Sequence, residues 1–142
     1  ASITRNEPSN LSNAANSADL LIITHKNFSA QANDWASYRA GQGVVVKIVD
    51  IEDIYDEFNF GNSASLAIRS FLSFAKSNWQ NAPDYVLLIG DASYDPRNYE
   101  GRGNWNLVPT KMVDTLYSET GSDDSLADFN NDGLAEIPIG RI

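Results

Sequence analysis

The run Tyr85-Val-Leu-Leu-Ile89, closed at once by Gly90-Asp91, constrains this chain more than any other stretch. Five apolar residues rich in branched side chains are too few for a helix and suit a buried strand. A strand apolar on both faces belongs to a parallel sheet covered by helices on both sides. In such sheets functional groups collect where strands end at their carboxyl edge. Asp91 and Asp95, in the polar turn leading to Pro96, are therefore expected at that edge.

The rest of the chain reads as layers around this strand. Asp19 to Thr24 is a second buried strand, ending at His25. A helix from Ser29, a residue suited to the N-cap, to Ala40 places Phe28, Ala32, Trp35 and Ala36 on one face. Gly41-Gln42-Gly43 ends it, and Val44 to Val49 forms the next strand. Asp50 can cap a short helix through Ile51, Ile54, Tyr55 and Phe58 that breaks at Gly61. Asn62 or Ser63 caps a longer helix with a stripe of Ala64, Ile68, Phe71, Ala75 and Trp79, and Pro83 delivers the chain into the central run.

This order predicts a three-layer α/β fold with a doubly wound, mainly parallel sheet of the flavodoxin-like kind. The first strand should lie between the other two, with Trp35, Ile68, Phe71, Trp79 and Tyr85 in the core. After a loop from Ala92 to Asn106, Val108 to Val113 reads as a further strand that Pro109 places at an edge. Ser118 to Asp132 is acidic and turn-rich, and Ile137 to Ile142 closes as a strand.

At 142 residues the chain matches one domain. Residues 1–18, rich in Asn and Ser, read as a linker, and 19–142 as the α/β unit. No signal sequence follows Ala1, and the whole reads as a piece of a longer protein. The net charge of −9, with no cluster of Lys and Arg, argues against nucleic acid or an anionic membrane surface as partner. No apolar run approaches the ~20 residues that cross a membrane, so no membrane insertion is expected. Acidic charge suits cation binding or simply a solvated surface. There are no cysteines, so disulfides, thiolate metal sites and a cysteine nucleophile within this chain are excluded.

Candidate chemistry is sparse. His25, the only histidine, can face Asp91 as an oriented general base or can be a hydrogen-bonded residue of a strand-to-helix turn. Ser93 lacks the context of a nucleophile elbow, and no glycine fingerprint for a dinucleotide follows the first strand. The clearer signal is Asp128-Phe-Asn130-Asn-Asp132-Gly133, where alternate oxygen-bearing side chains and a glycine suit a loop around a hard cation. Asp128, Asn130 and Asp132 are the expected core Ca²⁺ ligands, with Asp124 and Glu136 as additions and Asp123 nearby. The twelfth loop position, where an EF-hand has a bidentate acid, is Ile139. The alternative is a turn whose Asx side chains bond their own backbone.

The order of motifs resembles a known family. Its pieces are Leu20-Leu-Ile-Ile-Thr-His25, Trp35, Gly41-Gln-Gly-Val-Val-Val46, Ile54-Tyr-Asp-Glu-Phe58 and Ile68-Arg-Ser-Phe-Leu72. Then come Pro83-Asp-Tyr-Val-Leu-Leu-Ile-Gly-Asp-Ala-Ser-Tyr-Asp95, Val108-Pro-Thr110, Ser122-Asp-Asp124 and Asp132-Gly-Leu-Ala-Glu-Ile-Pro-Ile-Gly-Arg-Ile142. From about Asp19 to Ile142 they resemble the gingipain family of caspase-like cysteine peptidases, especially relatives associated with bacterial protein secretion. The resemblance implies two caspase-like subdomains, the catalytic histidine and cysteine lying in the second. This chain is then the first, non-catalytic half, its partner the catalytic subdomain of the same longer chain, and His25 does not match the catalytic histidine. The resemblance also implies a secreted or bacterial cell-surface protein and structural calcium. A stand-alone α/β module binding calcium or a small ligand is the other reading.

Overall fold

The computed structural model describes residues 8–142. In chain order the elements are β1 (Leu20–Thr24), α1 (Ser29–Ala40), β2 (Val46–Asp50), α2 (Ile51–Asn59), α3 (Ser65–Asn78), β3 (Tyr85–Ile89), β4 (Lys111–Asp114), β5 (Glu119–Ser122), α4 (Asp124–Ala127) and β6 (Ile139–Arg141). The main sheet has the order β2-β1-β3-β6, and all its pairings are parallel. The first strand lies between the second and third, as a doubly wound sheet requires.

The strands alternate across this sheet. Leu21 and Ile23 of β1, with Val86 and Leu88 of β3, join Ile54, Ile68, Phe71 and Leu72 in the larger core under α2 and α3. Leu20, Ile22 and Ile89 point to the other face and meet Ala32, with Phe28 and Ala36 packed beside them. Helices thus cover both faces, and the apolar runs are explained.

Several local expectations are corrected. Trp35 is 39% exposed and stacks on Tyr38 at 5.6 Å. The small residues Ala32 and Ala36 meet the sheet instead and leave Trp35 on the flank of the helix. Tyr85, expected in the core, is exposed at the first position of β3. Ser29 does not cap α1 but begins it, because a 3₁₀ turn over Lys26–Phe28 precedes the helix and takes the Ser29 hydroxyl on the Lys26 carbonyl at 2.9 Å. Neither Asn62 nor Ser63 caps the long helix. Its N-cap is Ala64, and the Asn62 amide instead donates to the Asn59 carbonyl at the end of α2. The strand expected over Val108 to Val113 starts only after Pro109, at Lys111, and pairs antiparallel with β5 in a separate hairpin. Asp50 caps α2 as expected, accepting from the Glu52 N–H at 3.0 Å.

Residues 1–7, within the stretch read as a linker, lie outside the described residues. Residues 8–18 of that stretch are docked. Leu11 and Ala18 are buried, and the Leu11 carbonyl accepts from the Trp79 indole N–H at 2.9 Å. The Glu57 carboxylate receives the Ser9 hydroxyl at 2.5 Å and the Leu11 and Ser12 N–H groups at 2.7 and 2.8 Å. Partial burial pushes the Glu57 carboxyl up, but the donors from Ser9, Ser12 and Leu11 outweigh it and hold the group below its ordinary range.

The folded-state value is depressed, so Glu57 stabilises the fold fully above its ordinary pKa of about 4.3, and that contribution fades as pH falls through the lower folded value. Glu57→Gln is expected to cost about 1–2 kcal/mol near neutrality, read by urea unfolding. The gap to wild type should narrow below about pH 4; an equal gap at pH 7 and pH 3 contradicts the clasp.

Candidate functional site

The carboxyl edge of the sheet is organised by hydrogen bonds rather than by an exposed catalytic pair. His25 follows β1, and its Nδ1 accepts from the Asn27 N–H at 3.2 Å, so the imidazole caps the 3₁₀ turn. This contact is the hydrogen bond that the turn reading of the histidine calls for. Asp91 is exposed after β3, and its carbonyl accepts from the Leu107 and Val108 N–H groups at 3.0 and 2.9 Å. His25 and Asp91 line different cavities, His25 with Glu52 and Tyr55, Asp91 with Phe28 and Gln31. Asp95 accepts from the Tyr99 and Glu100 N–H groups at 2.9 and 2.8 Å, and these bonds keep its carboxyl below the usual range.

The acidic loop lies between α4 and β6. Asp128 is its hub: Oδ1 accepts from the Asn131 and Asp132 N–H groups at 2.7 and 3.2 Å, and Oδ2 from Gly133 N–H at 3.0 Å. Asn130 Oδ1 accepts from Asp132 N–H at 2.8 Å, while its amide donates to Asp132 Oδ2 at 3.1 Å. Asp132 Oδ1 takes the Leu134 N–H at 2.9 Å, and Glu136 Oε2 takes the Phe129 N–H at 2.5 Å. Gly133 has φ of 91°, a left-handed conformation that lets the chain turn back after Asp132. Carboxylate oxygens of Asp128, Asp132 and Glu136 all lie within 4.8 Å of one another. These are hard oxygen donors, the kind Ca²⁺ takes, and each carboxylate group keeps at least one lone pair free of its N–H partners.

Asp124, expected as an additional ligand, does not join this group. It is the exposed first residue of α4, and its carbonyl accepts from Asp128 N–H at 3.1 Å. Asp123 is turned the other way, into a bidentate pair with Arg141 at 2.8 and 2.7 Å. Burial raises the Asp123 carboxyl, but the Arg141 guanidinium and the Thr110 hydroxyl outweigh it and hold it below its usual range. Ile139, the twelfth loop position, lies in β6 opposite Val86 and contributes no oxygen from its side chain.

Two residues that shape the loop had no local signal in the sequence. Arg69 of α3 donates to the Phe129 carbonyl at 3.2 Å and to Asn131 Oδ1 at 2.8 Å, pinning the loop to the helix. Arg141 fixes its far end through Asp123. Both contacts bridge about sixty or twenty positions in sequence, out of reach of any periodicity argument.

The Asp128 hub is structural whether or not an ion is present. Asp128→Ala is expected to destabilise the fold by about 1–2 kcal/mol even in excess chelator, read by thermal or urea unfolding. An unchanged melting curve in chelator contradicts the hub.

The comparisons with known proteins agree with this architecture. The model of Peptidase family C25 matches residues 13–142. The fold is similar to that in the crystal structure of dimeric latent PorU from Porphyromonas gingivalis, with a TM-score of 0.71 and 19% identity. That likeness covers 89% of this chain and 14% of the PorU chain, and at such identity it is one of fold. No curated protein matches the sequence. The resemblance carried by the ordered motifs is borne out, and the chain belongs to Peptidase family C25, the gingipain family.

Proposed function

We propose that this chain is the non-catalytic amino-terminal half of a gingipain-like cysteine endopeptidase, supporting by packing a catalytic subdomain of the same longer chain. One observation carries the reading: a region of a cysteine-peptidase family holds no cysteine, and its single histidine is spent on capping a turn. The chain spans only 14% of the PorU chain it resembles, which leaves room in such a protein for the catalytic groups. Among the described strands β6 pairs only with β3, so its outer edge is open to a neighbouring unit. Family membership supports a secreted or bacterial cell-surface setting, and among the described residues no helix is long and apolar enough to cross a membrane.

The same reading includes one structural Ca²⁺ held by Asp128, Asp132 and Glu136, with Asn130 beside them. The ion would offset repulsion between carboxylates brought within one loop and clamp that loop before β6, without a part in chemistry. The acidic loop also favours the alternative, a stand-alone calcium-binding module.

The purified chain is expected to cleave neither casein nor Arg- and Lys-containing peptides, because it offers no thiol and no partnered nucleophile. Turnover abolished by His25→Ala would overturn the non-catalytic assignment. The reading frame beyond Ile142 separates the two readings: a histidine and, after a further strand, a cysteine support the first, whereas an early stop codon supports the module.

Calcium has its own test. With no bidentate acid at the twelfth position, affinity is expected near ~10⁻⁴ M, the range of extracellular modules. Millimolar Ca²⁺ should raise the melting temperature of chelator-treated protein, and Asp132→Ala should remove most of that rise. If wild type melts identically with and without the ion, the loop is an Asx turn alone.

A further inference from the structure

The chain between β3 and β4 carries three large aromatic rings in the open: Tyr94, Tyr99 and Trp105 are 65%, 79% and 59% exposed. Exposed apolar surface gathered in one place marks a binding surface, whereas rings scattered singly mark nothing. An irregular stretch of this length is uncommon in a compact domain, and one that is ordered usually has a function. This one is ordered by its own side chains. Asp95 accepts from the Tyr99 and Glu100 N–H groups, and Asn98 Oδ1 accepts from Gly103 N–H at 2.9 Å.

The loop closes on itself as a cup of about 170 Å³, with Tyr94 and Trp105 among its walls. Both rings are held. The Trp105 indole N–H donates to the Arg102 carbonyl at 2.9 Å, and the indole lies so close to Gly103 that a Cβ there would fall 2.6 Å from Nε1. The Tyr94 hydroxyl donates to Glu100 Oε2 at 2.9 Å, the oxygen that Arg102 Nε also meets at 3.0 Å. Rings fixed before a ligand arrives lose little freedom on binding it.

The chemistry of the cup selects among ligands. Among the described residues no aliphatic side chain lines it, so its broad apolar surfaces are the flat rings. Donors and acceptors stand beside them. Arg102 keeps the N–H groups at the end of its guanidinium, Asn98 its amide N–H₂ and Glu100 the oxygen Oε1, none of them partnered among the described residues. An aliphatic peptide side chain finds no matching wall here. A simple anion would meet Asp95 and Glu100, and a simple cation would meet Arg102. A sugar ring matches both halves of the lining. Its C–H groups form a weakly positive face that lies on the negative face of an aromatic ring, and its hydroxyls donate and accept side by side. The volume is below the roughly 300–1,000 Å³ of clefts that enclose drug-sized ligands and suits a single ring.

We infer that this cup is a carbohydrate-binding site, taking one pyranose ring, free or at the end of a glycan, with its C–H face against the aromatic wall and its hydroxyls on Glu100, Arg102 and Asn98. The site is separate from the acidic loop and does not rest on the non-catalytic reading of the chain.

The test is NMR titration of the chain with glucose, galactose, mannose and N-acetylglucosamine, followed at the Trp105 indole and the Gly103 amide, with sorbitol as an open-chain polyol. Saturable shifts at both positions are expected with at least one of the sugars and not with sorbitol. A disaccharide ending in the sugar that binds separates the sources: tighter binding assigns a glycan end, and equal binding a free ring. Trp105→Ala should weaken binding about tenfold or more, as truncation of a central aromatic contact does. Trp105→Phe keeps a flat face and should retain most of the binding, which guards against an alanine variant that merely fails to fold. Shifts that saturate with none of these sugars, that sorbitol matches, or that persist unweakened in Trp105→Ala overturn the site. Saturation by N-acetylarginine amide or adenosine in place of the sugars gives the cup to a peptide or a nucleoside and overturns the carbohydrate assignment.

Discussion

The guanidinium of Arg141 is the interaction on which the carboxyl edge of this domain depends. From the last position of β6 it donates to the Gly90 and Val108 carbonyls at 2.6 and 2.7 Å and grips both oxygens of Asp123. One planar group thus joins the end of β3, the approach to the β4–β5 hairpin and the start of α4. A lysine offers a point charge and cannot fill this role, because the fork has to satisfy a carboxylate and two carbonyls at once. Gly90 is fixed by the same geometry. Its φ is 141°, and a Cβ there would fall 2.9 Å from a Val108 methyl carbon, so the close approach that lets Arg141 span both carbonyls tolerates only glycine.

That clamp explains how a long loop stays attached to the sheet. Between Ala92 and Asn106 there is no regular element, yet the backbone is held by Ser93, Asp95, Asn98 and Asn106, each accepting from an N–H within the loop. The Asp91 carbonyl then receives the returning chain at Leu107 and Val108. The backbone of Asp91 and the carboxylate of Asp95 thus serve to hold the loop, and the open polar space at the edge falls between this loop and the start of α3.

The parts legible in the sequence are those written in local periodicity. Leu20 to Thr24 and Tyr85 to Ile89 declare a buried parallel sheet by composition alone, and the strand order follows from right-handed crossovers. The stripe through Ile68, Phe71 and Ala75 gives the buried face of α3 for the same reason. Trp35 misleads because helical spacing reports a face and not its edge, and its ring lies just outside the line of Ala32 and Ala36. The stretch before Asp19 misleads because polar composition is consistent with a linker and equally with a segment whose backbone is satisfied by a distant side chain. Glu57 stands more than forty positions from Leu11, and nothing in either neighbourhood encodes the contact. In the acidic loop Asp128, Asn130 and Asp132 are legible as a spacing, whereas the exclusion of Asp123 depends on Arg141 and is visible only in three dimensions.

The elements that spacing cannot reveal converge on one helix. α3 begins beside a polar cleft lined by Ser63, Ser65 and Asn106, and one turn further Arg69 reaches out to hold the acidic loop. Ile68 and Phe71 fill the core beneath it, Phe71 meets the Trp79 ring edge-on at 5.7 Å, and Trp79 receives the segment before β1. A shift of this helix along its axis would therefore disturb the cleft, the loop and the amino-terminal clasp together. Buried aromatic contacts at its centre resist such a shift, since close-packed interiors do not deform continuously. The polar features at its two ends are positioned by the apolar stripe between them, which is why the most ordinary part of the sequence decides the geometry of the least ordinary parts.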